Sequence, residues 1–302
     1  MPTTHKNLIA ENVTSYLEKI FSLTKESEVR CYRGQSDAKW KLKPSVMRDM
    51  KPDAENKIFS ELMLEAPNEF GTDKSMFDKL VRAQHYALPT RLLDVSLNPL
   101  VGLYFACNEK EFHDKDAVVQ VFDFSSIRVK YADSDTISLI CNLARLSDKE
   151  REEITQKYKN TEKWNVTTKD SFRSIPAMMR LTQFVRVEKP YFLDGAEPRD
   201  LFKYFFVYPA KNNRRVIAQS GAFITSGLLM YTAPDQSAGF TIEKITIPAS
   251  AKALIIKQLD TLNINSRTMF PEVEFASRYI KENWKKSKSL QKNNTLTQNI
   301  LF

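Results

Sequence analysis

Residues 84–106 read QHYALPTRLLDVSLNPLVGLYFA, from Gln84 to Ala106. Asn98 suits a helix N-cap and Pro99 the first helical position, which predicts a helix from Pro99 to about Lys110. Leu100, Val101, Leu103, Tyr104 and Phe105 make that helix apolar on most faces, so it belongs in a core. Just upstream, Gln84, His85, Thr90, Arg91, Asp94, Ser96 and Asn98 interrupt apolar neighbours. Charged groups are rarely buried alone, because an unpaired buried charge is costly. The cluster therefore needs mutual pairing or a ligand. Pro89 closes a helix expected over residues 74–86, and Arg91 and Asp94 are expected in the turn that follows.

Outward from this segment, helical spacing predicts helices over 9–23, 53–67 and 249–262, and a last one from Phe270-Pro271 to about Lys286. Strands are expected at Glu28–Tyr32, ending at Arg33-Gly34, and at Ala117–Phe124, Phe202–Tyr208 and Ile242–Ile247. Trp40 to Pro44 alternates and stops at the proline. The stretch 126–180 is polar and helix-biased, and reads as a helical insertion or subdomain. Beyond Ser287 the chain is polar and basic without a repeating apolar face, so 288–302 is expected to be a flexible tail. The fold class expected is α+β: one principal domain, 1–287, with a mixed or antiparallel sheet flanked by helices.

The 302 residues carry 45 Lys+Arg against 37 Asp+Glu, a net charge of +8, part of it from Lys281, Lys285, Lys286, Lys288 and Lys292 near the C-terminus. Such an excess suits nucleic acid, an anionic substrate or a solvated basic tail. With seven glycines there is no Gly-rich phosphate cradle, and neither the dinucleotide nor the Walker A pattern occurs. Cys31, Cys107 and Cys141 are well separated with no metal spacing, so no metal is expected. No secretory pattern precedes Leu8 and no apolar run approaches the ~20 residues of a membrane span. A cytoplasmic protein without a membrane partner is expected.

Several residue types could carry chemistry. Arg33 at a strand end can present a planar fork to phosphate or carboxylate, with Gly34 allowing close backbone approach, or it can bridge to a carboxylate such as Asp94. His85 suits a general base, a donor to ligand or a helix C-terminal cap. Gln84, Arg91 and Asp94 flank it, either as ligand contacts or as holders of the loop. Ser96 and Asn98 read most simply as caps. Arg214-Arg215 and Gln219-Ser220-Gly221 read as a loop feeding a strand, with Gln219 able to bind a ligand amide. Glu272 and Glu274 suit first-turn dipole partners, or one of them a catalytic carboxylate; their spacing puts them on different helix faces.

Together these segments resemble the FRG domain family. The motif reads Tyr32-Arg33-Gly34, with Tyr in place of Phe, and continues through Gln35, Trp40, Leu42, Pro44 and Arg48. Gln84-His85-Tyr86, Leu88 to Asp94, Asn98-Pro99-Leu100, Ala218 to Phe223, Ile247-Pro248-Ala249 and Phe270-Pro271-Glu272 complete it, over about 10–285. Val95 stands where the family usually has Trp, and Glu-Val-Glu where it often has Asp-Leu-Asp. A more distant similarity links Tyr32-Arg33-Gly34 and Ser96 to ADP-ribosyltransferases of the arginine–serine–glutamate type.

That similarity implies an ADP-ribosyltransferase-like core with NAD as substrate. Arg33 would grip the dinucleotide's phosphate or ribose and Ser96 would support the nicotinamide half. A late carboxylate, Glu274 by preference, would stabilise the transition state, with His85 beside it. Tyr32, Gly34, Gln84, Arg91, Asp94 and Gln219 would line the ligand site. The role implied is a bacterial toxin or anti-phage effector with a protein or nucleic-acid acceptor. Two other readings stand beside it: a non-catalytic nucleic-acid or nucleotide-binding module, and an interaction protein whose polar cluster is structural. Oligomeric state is not legible.

Overall fold

The computed structural model describes residues 8–24, 26–211, 213–228, 239–273, 275, 277 and 279–281. The expected tail at 288–302 and Glu274 lie outside the described residues. In chain order the elements are β1 (Leu8–Ile9), α1 (Val13–Ser22), β2 (Val29–Gln35), α2 (Ala54–Glu65), α3 (Met76–His85), β3 (Leu92–Ser96), α4 (Pro99–Cys107), β4 (Ala117–Phe124) and β5 (Val129–Tyr131). Then follow α5 (Asp135–Asn142), α6 (Asp148–Lys159), α7 (Val166–Arg173), α8 (Pro176–Glu188), β6 (Tyr204–Tyr208), α9 (Arg214–Ala218), β7 (Gly221–Ser226), β8 (Phe240–Ile247), α10 (Lys252–Thr261) and α11 (Ser266–Met269).

The strands form one eight-stranded sheet in the order β1-β8-β4-β2-β3-β7-β6-β5. Parallel pairs sit at its two edges, β1 with β8 and β5 with β6, and the pairs between are antiparallel. The fold is thus α+β with a mixed sheet. All eight residues of β4 are buried, which explains its nearly unbroken apolar sequence AVVQVFDF.

The sheet is nearly split. β2 registers with β4 through seven pairs and β3 with β7 through five. Between β2 and β3 the register is one pair, Tyr32 opposite Ser96. The halves curl together around a shared core in which Cys31, Phe122, Phe124 and Ile242 meet Val95, Tyr204, Phe206 and Ile224. Burying that apolar face holds the halves together where backbone pairing does not.

Helix α4 seals the other side of β2. Asn98 caps it, its Oδ1 accepting from the Leu100 N–H at 2.9 Å, with Pro99 at the first turn. A Cβ on Gly34 would sit 2.1 Å from the Gly102 carbonyl oxygen, and one on Gly102 would sit 2.8 Å from Tyr32 Cβ. The two glycines therefore let α4 lie directly on β2.

Three expectations need correction. Tyr32-Arg33-Gly34 does not end a strand, since β2 runs on to Gln35. Asp94 lies within β3, not in a turn, because Leu93 and Val95 alternate into the shared core while β7 pairs alongside. The stretch 126–180 is not purely helical either. β5 adds an edge strand, and α5 packs Ile137, Ile140 and Cys141 into the core beneath α3 and β7. The remaining helices close a cluster around Ile154, Phe172, Met178 and Leu181.

Candidate functional site

A cavity of about 280 Å³ opens where β2 and β3 diverge. Arg33, His85, Asp94, Ser96, Gln84 and Gln219 all line it, drawn from four separate stretches of chain. Tyr32 and Gly34 line it too, as do Gln35, Trp40, Arg48, Phe105, Glu109, Arg215 and Phe270. Its volume is near the lower end of small-ligand pockets.

Arg33 spans the gap in the sheet. Its Nη1 donates to the backbone carbonyl of Asp94 at 2.6 Å, where a ladder hydrogen bond is missing. The Asp94 carboxylate makes no ion pair with it. The Arg33 Nε is buried and has no hydrogen-bond partner among the described residues. The Nε–Nη2 edge, the one that grips carboxylate or phosphate side-on, is thus unused. Burial pushes the guanidinium pKa down, nearby Asp94 opposes this, and Arg48 adds to the lowering. Arginine stays charged through such shifts.

Arg48 and Arg215 bring further positive charge to the cleft. Arg48 Nε donates to the Lys43 carbonyl at 2.8 Å. The Arg215 guanidinium lies over the Phe270 ring, 4.6 Å from its centroid, and Phe270 meets Phe105 edge-on at 6.1 Å. Trp40 stands edge-on to Phe112 at 4.8 Å. Arginines among aromatic faces suit an anion joined to a planar ring.

His85 ends α3 and is half-buried. Its Nδ1 lies 2.9 Å from Asn213 Nδ2. The Asn213 Oδ1 is already taken by the backbone N–H groups of Arg215 and Val216, as the cap of α9. The amide nitrogen must therefore donate, and Nδ1 must accept. In neutral His85 the proton then sits on Nε2. Burial lowers the His85 pKa from its usual 6.5, with Arg215 next, while Asp94 and Glu272 oppose. The lowered pKa favours the neutral ring, which in this geometry is an Nε2–H donor. Glu272 has a buried Oε2 with no partner among the described residues.

Asp94 is exposed in the cleft and held by a directional chain. The Leu92 N–H donates to Thr90 Oγ1 at 3.2 Å, and Thr90 Oγ1 donates to Gln84 Oε1 at 2.8 Å. Gln84 Nε2 then donates to Asp94 Oδ2.

Other expected site residues have structural duties. Ser96 is 4% exposed; its hydroxyl donates to the Gln219 carbonyl at 2.7 Å and accepts from the Asn98 N–H at 3.0 Å. Its proton is committed to the loop. Gln219 Nε2 donates to the Met269 carbonyl at 3.0 Å, so this amide latches the turn between α9 and β7 to α11. The residue in the left-handed region is Ser220, φ 46°, rather than Gly221. Tyr32 is buried in the core against α4.

Arg91 does not line the cleft. It is 1% exposed, forks onto Glu55 through Nε at 2.8 Å and through Nη2, and reaches the Ser226 carbonyl at 3.1 Å. Arg151 completes the cluster, its Nη1 donating to Glu55 Oε2 at 3.0 Å. Arg91 therefore sits in a buried ion cluster away from the cleft that gathers Arg33, His85 and Asp94. Arg48 could have been found through its place in the family pattern. Asn213 carried no sequence signal, because only its contact with His85 distinguishes it from any other helix cap.

Among the described residues no His, Cys, Asp and Glu group of three or more could hold a metal. No described helix is long and apolar enough to cross a membrane. The chain carries an FRG domain, whose family model matches residues 28–115. That range supplies β2, β3, α4, Arg33, His85 and Asp94. No curated protein and no solved structure matches the chain.

Proposed function

With an FRG domain framing the cleft, we propose that this chain binds a nucleotide-type anion there and acts on NAD as an ADP-ribosyltransferase-like enzyme. The observation that carries the reading is the unused side-on edge of Arg33, set in a cleft with Arg48, Arg215 and the rings of Trp40, Phe105 and Phe270. A phosphate on the Arg33 fork places an attached base or nicotinamide ring among the aromatics. In the transfer, the N-glycosidic bond breaks, nicotinamide leaves with the bonding electron pair, and an acceptor nucleophile bonds to the ribose carbon and gives up its proton to water. Positive charge grows on the ribose, so a carboxylate near it lowers the barrier. Asp94 and Glu272 are the described carboxylates that bear on His85. Ser96 has no free proton to offer and serves by holding the β3–α4 loop. The biological role that fits such chemistry is a toxin or an anti-phage effector.

The test is incubation of the protein with NAD labelled in the adenylate half, with and without cell lysate. Transfer of label to protein or nucleic acid, lost in Arg33→Lys, is expected. A folded wild-type protein that neither binds nor consumes NAD, yet shifts labelled single-stranded nucleic acid, would replace this reading with a non-catalytic nucleic-acid module.

A further inference from the structure

We infer that Asp94 is the residue that reads the vicinal hydroxyls of a ribose, beside the phosphate held by Arg33. The inference rests on the nucleotide reading of the cleft and names a subsite within it. Arg33 and Asp94 look at first like a structural ion pair, but the contact runs to the Asp94 backbone carbonyl, at 2.6 Å. Both side chains therefore keep their functional edges. Arg33 Nε has no partner among the described residues. The Asp94 Oδ1 accepts no hydrogen bond among them, since Gln84 engages Oδ2.

The direction of the chain is set from its Asp94 end: a carboxylate oxygen takes the amide nitrogen of Gln84, which turns Gln84 Oε1 to the Thr90 hydroxyl, and that hydroxyl donates there while accepting from the Leu92 N–H. The chain holds Asp94 Oδ2 in place and leaves Oδ1 to accept from further donors. Gln35, two residues beyond Arg33 on the same strand, lines the cleft at 3% exposure, and its Nε2 also lacks an acceptor. The vacant groups are thus donors on β2 and a carboxylate acceptor on β3. A ligand that satisfies both must carry acceptor oxygens and donor hydroxyls close together. A sugar phosphate with a vicinal diol has that pattern; a bare phosphate or a dicarboxylate lacks the donors. A second phosphate on the diol would meet the negative charge of Asp94 and be rejected.

The test uses ribose 5-phosphate and 2-deoxyribose 5-phosphate as probes, with binding to the full chain followed by ligand-observed NMR titration. Wild type is expected to prefer the ribose compound by about tenfold or more, since a hydrogen bond to a charged acceptor is lost with the hydroxyl. Asp94→Asn should bind the deoxy compound at least as tightly as wild type does, because repulsion of the phosphate is gone, and should show no more than about a twofold preference between the sugars. Retained binding by that variant certifies that its cleft is folded. Equal affinity of wild type for both sugars, no binding of either, or an undiminished preference in Asp94→Asn overturns the assignment. Loss of NAD transfer with the sugar preference intact rejects the transfer chemistry alone. Intact transfer with no sugar preference rejects the Asp94 assignment alone.

Discussion

Arg33 donates through Nη1 to the main-chain carbonyl of Asp94 at 2.6 Å, across the gap where β2 and β3 share one register pair. A side chain stands in for a missing sheet hydrogen bond, and the cleft exists because the backbone ladder stops there. Arg33→Lys keeps a donor for that carbonyl but loses the planar fork. The variant should keep its thermal midpoint within a few degrees and lose at least about tenfold in affinity for ADP-ribose, read by calorimetric titration and scanning calorimetry. A parallel fall in midpoint and affinity would mean that Arg33 acts only as a strap.

The Arg91–Glu55–Arg151 cluster makes a separate prediction. Removing one partner of a buried pair leaves charge uncompensated, typically at about 3–5 kcal/mol. Glu55→Gln should lower unfolding free energy by that order in urea denaturation, while the protein that remains folded binds ADP-ribose as wild type does. A change in affinity at unchanged stability would return Arg91 to the ligand site.

How much of this was legible in the chain follows from what sequence patterns encode. The all-buried strand Ala117–Phe124 and the Asn98-Pro99 start of α4 coincide with the expected bounds, because local apolar runs and caps determine them. Arg33, His85 and Asp94 could be singled out as polar residues in apolar surroundings, and they meet at one cleft. Arg91 could not be told from them. Its partners Glu55 and Arg151 lie on distant helices, and a buried ion pair leaves no periodic trace. Ser96 and Gln219 were legible as polar but not as already satisfied, Ser96 by the Gln219 main-chain carbonyl and the Gln219 amide by that of Met269. The split of the sheet was invisible, since it depends on which strands pair rather than on what each contains.

His85 gives a pH prediction. Burial and Arg215 hold its folded-state pKa below the usual 6.5, so the unfolded chain takes up the proton first as pH falls. Stability from this group is complete above about 6.5 and declines as pH drops toward the lowered value. Nitrogen-detected NMR of the imidazole should show the Nε2–H tautomer at neutral pH. Asn213→Asp, which places an acceptor at Nδ1, should move the proton to Nδ1 and raise the pKa. An Nδ1–H signal in wild type would contradict the geometry.

The α4–β2 contact predicts that Gly34→Ala is strongly destabilising. Its Cβ would meet the Gly102 carbonyl at 2.1 Å, and backbone on both sides leaves no flexible side chain to yield. A loss of about 1–3 kcal/mol or more is expected by chemical denaturation. Wild-type stability would show that α4 can lift from the strand.

The central claim is that the cleft between β2 and β3 binds a nucleotide-type anion on the unpaired Nε edge of Arg33. Calorimetric titration of ADP-ribose into wild type and Arg33→Lys, each first shown to unfold at the same temperature, tests it most directly. Saturable one-site binding to wild type, weakened at least about tenfold in the variant, is the result predicted. Equal affinity in the two proteins, or no binding to wild type, would contradict it.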